Sequence, residues 1–232
     1  MKIYSVIHAR GGSKRIPLKN IKLLNNKPLI SYPIQLAKSI PKIQKVFVSS
    51  DHAEIIKISK QFGAEIPFIR PPEISEDVAS ELVTLHCLHW LKENNDLPEI
   101  IVTLTPATPF TKKSELKNAI DLLISNPHLD SVITIRKAKE HPEWMIDLDE
   151  KGVGKTLLGN SFDGKYNVSQ NLKKYYYPMG AFFVNRVSSF LNKPSMYGEN
   201  WGCIELNPND SIDIDYPEDW AAAEKMAQKF SL

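Results

Sequence analysis

Short apolar runs alternate along this chain with segments in which apolar residues return every three or four positions. The apolar runs, typical of buried strands, lie at 3–9, 45–49, 65–69, 99–104, 131–136, 181–184 and 211–215. Helical spacing occurs at Ile55, Ile58 and Phe62, at Leu82, Leu85 and Leu88, and at Leu116, Ile120 and Leu123. Strands that alternate with helices predict an α/β fold, with a mostly parallel sheet flanked by helices.

Residues that commonly begin or end helices predict the ends of two of them. Asp51 with Glu54 three residues later resembles a capping box, and Gly63 is a stop signal for the helix that follows. Pro217 suits the first turn of the last helix because its φ is already fixed.

The alternation breaks between 137 and 180, where glycines, charges and the run Tyr175-Tyr176-Tyr177 replace it. We expect an arm inserted into a single domain that spans 1–232. A segment this long and aromatic is unusual as a plain loop, so we predict that it pairs with a second subunit. A flap over the domain is the alternative.

Composition narrows the class of protein. The chain has 232 residues, 42% hydrophobic and 24% charged, which is typical of a globular chain with a sizeable core. It has neither an apolar stretch long enough to span a membrane nor an N-terminal cleavage signal, so we expect a cytoplasmic protein. Cys87 and Cys203 fit no metal or redox spacing and are interpreted as buried thiols.

Charge is distributed unevenly. Residues 1–50 contain ten Lys and Arg and no Asp or Glu, which leaves 19 basic and 27 acidic residues for 51–232. A basic N-terminal segment predicts an anionic partner: nucleic acid, membrane headgroups or the phosphates of a nucleotide.

The loop after the first predicted strand, residues 9–20, concentrates these cations. Gly11 and Gly12 allow backbone N–H groups to approach a phosphate, and Arg10 and Lys14 supply positive charge. The spacing fits neither the P-loop nor the dinucleotide-binding motif. A solvated basic turn is the alternative interpretation.

Two acids in the last predicted strand are a candidate metal site. Strand alternation would place Asp213 and Asp215 on one face, about 7 Å apart along the strand. Mg²⁺ that carries nucleotide phosphates needs one or two carboxylates. The alternative is an edge strand with ordinary solvent-facing acids.

The string Ala-Arg-Gly-Gly-Ser-Lys-Arg-Ile-Pro-x-Lys-Asn at 9–20 resembles the signature of the acylneuraminate cytidylyltransferases, and the similarity extends through 49–51, 70–73 and 211–215. The resemblance implies a fold like the nucleotide-diphospho-sugar transferases, a homodimer formed through the arm, and Mg²⁺. It also implies CTP and a nonulosonic sugar acid as partners, rather than nucleic acid or a membrane.

The resemblance assigns roles to individual residues. The nucleotide-binding residues it implies are Ala9, Arg10, Gly11, Gly12, Ser13, Lys14, Asn20, Arg70 and Ser80. The sugar-binding residues it implies are Lys19, Gln170 and His141, the last across the dimer interface. In the implied reaction a sugar hydroxyl attacks the α-phosphorus of CTP, while Arg10 and Lys14 hold the phosphates and Asp213 and Asp215 hold Mg²⁺.

The sequence departs from the family pattern where the family is expected to recognise the sugar. Thr105 replaces a glutamine, Gln170 lacks the basic residues that usually precede it, and Met179 stands in a Pro-Asn-Gly motif. These changes leave the acceptor open, with pseudaminic-type acids somewhat favoured. Two other functions remain as alternatives: an Asp-x-Asp glycosyltransferase that uses a nucleotide sugar, and a non-catalytic RNA-binding module.

Overall fold

The computed structural model describes residues 1–160, 162–207 and 211–230. Its helices are α1 (Ser31–Lys38), α2 (Ala53–Gln61), α3 (Ser80–Glu93), α4 (Lys113–Ser125), α5 (Val187–Asn192) and α6 (Pro217–Phe230). Its strands are β1 (Ile3–His8), β2 (Leu23–Leu24), β3 (Lys27–Pro28), β4 (Lys45–Ser49), β5 (Ile100–Leu104), β6 (Ser131–Lys137), β7 (Ile146–Leu148), β8 (Gly154–Thr156), β9 (Tyr176–Arg186) and β10 (Trp201–Glu205).

Six strands form the central sheet in the order β10-β6-β9-β5-β1-β4. Strand β1 pairs in parallel with β4 and β5, and β10 pairs in parallel with β6. Strand β9 runs antiparallel to both of its neighbours, β5 and β6. The predicted α/β fold with a mostly parallel sheet and flanking helices is confirmed.

Helices cover both faces of the sheet, and β1 shows why. Ile3 and Ile7 point to one face, where they belong to a core shared with α1, α2 and α4. Tyr4 and Val6 point to the other face and pack in a core with α3 and α5. A strand buried on both faces is therefore apolar at nearly every position, as the run at 3–9 is.

Two predicted strands and one predicted cap are wrong. Among the described residues, 65–69 contributes only an isolated bridge between Glu65 and Phe47, and 211–215 pairs with no strand. Helix α2 begins at Ala53, and Asp51 does not cap it. The Asp51 carboxylate instead accepts a hydrogen bond from the N–H of Gly11, 2.8 Å away.

The segment predicted as an arm does leave the sheet, since it lies between the paired ends of β6 and β9. Lys137 pairs with Tyr176 at this point, so the excursion begins and ends on neighbouring strands. Within it, β7 and β8 form a separate antiparallel hairpin. In the described part of the chain, no helix has both the length and the apolar character needed to cross a membrane.

Candidate active site

A cavity of about 430 Å³ lies beyond the carboxyl ends of β1 and β5, the usual ligand position in an open α/β sheet. Most of the predicted nucleotide-binding side chains line it: Arg10, Ser13, Lys14, Asn20, Arg70 and Ser80. Lys19 and Asp215 also line this cavity. The basic loop and one of the two C-terminal acids, far apart in sequence, therefore meet at one site.

The loop at 9–20 is held by hydrogen bonds from its own backbone and from Asn20. Ala9 is buried, and its N–H donates to the Ser49 carbonyl at 3.0 Å. The Asn20 side-chain amide donates to the Arg10 carbonyl at 2.8 Å, which makes this nearly buried residue a support for the loop.

The two glycines of the loop, Gly11 and Gly12, lie in different surroundings. A Cβ on Gly11 would lie 2.7 Å from a ring carbon of His52, so no side chain fits there. The Gly11 N–H is already bound to Asp51, so in this structure it does not face a phosphate as predicted. Space around Gly12 is open, which leaves that position free for close approach of a ligand.

Arg10 and Lys14 share one carboxylate. The Arg10 guanidinium donates to Asp77, and the Lys14 ammonium lies 2.9 Å from the other oxygen of the same carboxylate. These bonds from Lys14 and Arg10 lower the pKa of Asp77. The protein thus presents its own anion to the two cations that were predicted to hold phosphate.

Arg70 is 4% exposed, so a surface salt bridge does not explain its presence. Its guanidinium donates to the Ser49 hydroxyl at 3.1 Å and to the Ser49 carbonyl at 2.6 Å. No ion pair of Arg70 is found within the described residues. Burial is the main cause that lowers the pKa of Arg70, to about 10. The hydrogen-bond partners of this buried cation are neutral, and the Asp51 carboxylate favours its charge from a distance; such a cation at a cavity wall is suited to an anionic or polar ligand.

Asp215 joins the C-terminal segment to the basic loop. One of its carboxylate oxygens is 3.3 Å from the Lys19 ammonium and the other is 3.5 Å from the Arg15 guanidinium. The Lys19 ammonium also donates to the carbonyl of Ile214. The predicted sugar-binding lysine therefore lies between the loop and Asp215.

Apolar packing explains why these distant segments meet. Ile214 is fully buried in a core cluster that includes Ile16 and Leu24 from the N-terminal region and Trp220 from α6. The Ile214 N–H donates to the Ala107 carbonyl at 2.9 Å. Burial of this one isoleucine leaves Asp213 and Asp215, on either side of it, exposed. The predicted alternation is thus observed, although the segment is not part of a sheet.

A second cavity of about 370 Å³ adjoins the first, and Asp215 lines both. Asp213 lines only the second cavity, with Arg136, Met179, Tyr216 and Asp219. Surrounding protein atoms, and then the charge of Asp215, raise the pKa of Asp213 to about 6. Asp215 therefore lies at the boundary between a basic cavity and a more acidic one, and Asp213 lies within the more acidic one.

Residues 5–155 match the cytidylyltransferase family, more than half of the chain. The chain belongs to this family. The match confirms the resemblance on which the sequence analysis relied.

Relatives of this cytidylyltransferase are named as synthases or cytidylyltransferases of sugar acids. It is 29% identical to the CMP-N,N'-diacetyllegionaminic acid synthase of Legionella pneumophila, with 98% of this chain and 97% of that protein aligned. It is 32% identical to the pseudaminic acid cytidylyltransferase of Campylobacter jejuni, with 94% and 93% aligned. The N-acylneuraminate cytidylyltransferase of Oncorhynchus mykiss is 30% identical, and the alignment spans 98% of this chain but 51% of that protein.

Solved structures support the fold. A CMP:2-keto-3-deoxy-manno-octonic acid synthetase complexed with CTP superimposes with a TM-score of 0.72 at 15% identity, covering 99% of this chain and all of the other. The 4-diphosphocytidyl-2C-methyl-D-erythritol synthase of Anaerococcus prevotii gives a TM-score of 0.64 at 16% identity, with 98% of each chain covered.

Two predicted sugar-binding residues of this cytidylyltransferase lie on the arm, away from both cavities. Gln170 is exposed on a one-turn helix at Ser169–Asn171. The His141 ring packs edge-on against Trp144, with ring centres 5.0 Å apart. Neither side chain lines a cavity in the described part of this one chain. Their sugar-binding roles stay predictions, and the role of His141 was predicted to lie across a dimer interface.

Sequence analysis missed several side chains of the site. Asp77, Arg15 and His8 line the first cavity, and Arg136 lines the second. The charge pattern could have indicated Asp77. This residue ends the acidic stretch 73–77, which lies C-terminal to the basic segment 1–50. No comparable signal marks His8 or Arg136, because their positions depend on how β1 and β6 pair.

Proposed function

We propose that this protein couples CTP to a nonulosonic sugar acid and releases pyrophosphate, forming a CMP-sugar. The observation that supports it best is the shared position of Asp215. This acid lines the basic cavity with Arg10 and Lys14 and also lines the neighbouring cavity with Arg136. A donor and an acceptor seated in adjoining cavities would meet at this boundary.

The proposed chemistry is an in-line displacement. A hydroxyl oxygen of the sugar acid forms a bond to the α-phosphorus of CTP, the bond from that phosphorus to the β-phosphate bridging oxygen breaks, and the hydroxyl loses its proton. Positioning and charge stabilisation dominate such transfers. Arg10 and Lys14 would bind the phosphates that leave as pyrophosphate, and Arg70 would hold the nucleoside end from the cavity wall.

Asp213 and Asp215 fit a Mg²⁺ ion by their chemistry. Both carboxylates line the second cavity, and Asp215 also lines the first; Mg²⁺ commonly takes one or two such ligands and completes its shell with phosphate oxygens and water. Surrounding protein atoms and the neighbouring Asp215 carboxylate raise the pKa of Asp213, and a bound cation would favour its charged form. Bound Mg²⁺ would supply charge neutralisation at the phosphates.

The second cavity suits the sugar acid. Arg136 is exposed at its wall and has no ion pair among the described side chains, so its guanidinium is available to a carboxylate. Lys19, which the resemblance assigned to the sugar, is bound to Asp215 at the same boundary. The relatives named above activate legionaminic, pseudaminic and acylneuraminic acids, which supports an acceptor of this class.

The proposal includes a homodimer formed through the arm, in the cytoplasm, where CTP is made and used. Five large apolar side chains of the arm are more than half exposed: Ile146, Leu148, Val153, Leu157 and Leu158. An exposed apolar surface of this kind is typical of an interface. We expect light scattering to give the mass of a dimer, and Leu148→Asp combined with Leu157→Asp to give the mass of a monomer.

The activity is tested by pyrophosphate release from CTP and Mg²⁺ with a panel of nine-carbon and eight-carbon ulosonic acids. We expect release that depends on both substrates, and kcat/KM lowered at least about tenfold by Lys14→Ala through loss of a charge-assisted contact. Lys60→Ala, on the exposed face of α2, is the matched control and should retain wild-type activity. Hydrolysis of a nucleotide sugar without pyrophosphate release would favour the glycosyltransferase alternative. Salt-sensitive RNA binding without turnover would favour the RNA-binding module.

A further inference from the structure

His8, the last residue of β1, lines the first cavity in a row of three polar side chains. Its Nε2 lies 3.1 Å from the hydroxyl oxygen of Thr84 on α3. That hydroxyl lies 3.0 Å from the hydroxyl of Thr103 on β5. Both threonines are buried. Residues of β1, α3 and β5 therefore fix the imidazole in one orientation.

The protein keeps this imidazole neutral. Burial, and then the neighbouring Arg70 guanidinium, lower the pKa of His8 to about 3. A neutral imidazole has one nitrogen that donates a hydrogen bond and one that accepts. His8 therefore contributes a defined hydrogen-bonding pattern and no charge to the cavity near neutral pH.

Only Nδ1 of His8 is left for a ligand. Nε2 is bound to Thr84, and Nδ1 has no hydrogen-bond partner within the described residues. Nδ1 is also not among the polar atoms that are sealed from solvent without a partner. Since His8 lines the cavity, its unpaired nitrogen is accessible from there.

The first cavity is lined by cations of the loop and by residues of β1 and α3. Arg10 and Lys14 belong to the loop, whereas His8 ends β1 and the buried Val83 belongs to α3. A nucleotide has a charged end and a neutral base. Phosphates bound by Arg10 and Lys14 would leave the base to extend toward His8 and Val83.

We propose that His8 is a specificity-determining residue that recognises the base of the nucleotide and favours cytosine over uracil. This inference rests on the proposed function. Cytosine presents an acceptor at N3 and a donor at N4, whereas uracil presents a donor at N3 and an acceptor at O4. If Nδ1 carries the proton it donates to cytosine N3, and if it does not it accepts from cytosine N4. With uracil in the same position, a donating Nδ1 would face the N3–H donor, and an accepting Nδ1 would face the O4 acceptor.

The threonine row has a part in this preference. The Thr84 hydroxyl can accept from Nε2 or donate to it, so in either tautomer it holds the imidazole in the orientation that leaves Nδ1 for the ligand. Thr84 is a positioning residue in this account because it acts through His8. A site built to bond a polar atom of its ligand rejects an analogue that leaves that atom unpaired.

The test compares binding of CTP and UTP, without sugar acid, by titration calorimetry, and then compares kcat/KM for the two nucleotides. We expect wild-type protein to prefer CTP, and His8→Phe to reduce the CTP/UTP ratio about tenfold or more, chiefly by weakening CTP. His8→Gln, which restores a donor and an acceptor, should recover part of the ratio. Thr84→Val should reduce the ratio with little change in UTP binding.

Controls separate this role from a structural one. His89→Phe, on the exposed face of α3, should leave the ratio unchanged. If His8→Phe and His8→Gln weaken both nucleotides equally, the proposal is wrong. If His8→Phe does not fold, the ratios for His8→Gln and Thr84→Val decide, and an unchanged ratio in both refutes it. If wild-type protein binds neither nucleotide, the proposed function itself fails, and this inference fails with it.

Discussion

Replacing Arg70 by methionine should separate function from stability. The folded protein holds this guanidinium 4% exposed with only neutral partners. Its pKa, lowered to about 10, corresponds to about 3 kcal/mol of unfavourable free energy for the charged form in the fold. Methionine fills much of the same volume without the charge. Arg70→Met therefore removes the unfavourable free energy of the buried charge from the folded protein.

The loss of hydrogen bonds opposes this gain. Arg70 makes two bonds to Ser49, worth about 1.5 kcal/mol each when one partner is charged. The Ser49 carbonyl keeps its bond from the Ala9 N–H, so it is not left unpaired. The stability gained by removing the buried charge and the stability lost with the two hydrogen bonds nearly cancel. We expect the Tm of Arg70→Met to stay within about 4 °C of wild type, while CTP binding weakens at least about tenfold.

Arg186→Met is the matched control. Its guanidinium donates to the carbonyls of Leu129, Leu123 and Asn126, two of which lie at the end of α4. Removing it breaks three charge-assisted bonds and should lower stability by about 3 kcal/mol or more, although the carbonyls of Leu123 and Asn126 keep bonds from the N–H groups of Asn126 and Leu129. Differential scanning fluorimetry measures both variants. If Arg70→Met loses as much Tm as Arg186→Met, or binds CTP as wild type does, the account of Arg70 is wrong.

Three further predictions concern the loop and the pH dependence of stability. Asp77→Asn should tighten CTP binding about two- to fivefold, because the phosphates no longer displace a carboxylate from the loop cations; weaker binding in calorimetry would contradict this. Gly11→Ala should lower Tm because its Cβ has no room, whereas Gly12→Ala should not; equal Tm values would refute the distinction. Lys45, the largest contributor, and other donors hold the pKa of Asp96 below its ordinary value, so Asp96 stabilises the fold above about pH 4 and this stability is lost as pH falls further. Asp96→Asn should therefore lower Tm at pH 7, and its difference from wild type should begin to narrow as pH falls below about 4; a difference that stays constant down to the lowest pH at which both fold would rule out the ionisation as the cause.

Local pattern was sufficient for the central strands and helices. Strand β4 has the predicted bounds, and Leu116, Ile120 and Leu123 of α4 are buried as their spacing indicates. Hydrophobic burial decides these elements, so a window of the sequence contains the information. Strand β9 was predicted too short, because its first residues belong to the aromatic run assigned to the arm and are defined by pairing with β6.

The segment 211–215 shows what periodicity cannot decide. Alternation describes an extended chain with one buried face, and Ile214 is buried between two exposed acids as expected. The partner that buries it is a cluster of side chains from α6 and the N-terminal region, not a neighbouring strand. An extended segment packed on side chains has the same pattern as an edge strand. The sequence therefore located the acids without predicting the structure that holds them.

The same limit applies to the ion pairs of the site. Lys19 and Asp215 are separated by 196 residues, and Asp77 reaches Lys14 across 63. The basic loop predicted that an anion would bind there. The sequence around the loop does not indicate whether that anion is a ligand or a carboxylate of the chain. In this structure the loop cations form ion pairs with two carboxylates of the chain, Asp77 and Asp215.

These two acids differ in what a nucleotide would do to them. Asp77 occupies the Arg10 and Lys14 positions that phosphates require, so it competes with the ligand and has to be displaced. Asp215 borders both cavities and is bound from the loop side by Lys19 and Arg15. In the proposed function the Mg²⁺ ion of the nucleotide would bring positive charge to that boundary, so Asp215 could stay where it is. Asp77 and Asp215 both form ion pairs with the loop, but they would affect the proposed substrate differently. Asp77 would compete with its phosphates for Arg10 and Lys14, whereas Asp215 would lie beside its metal ion.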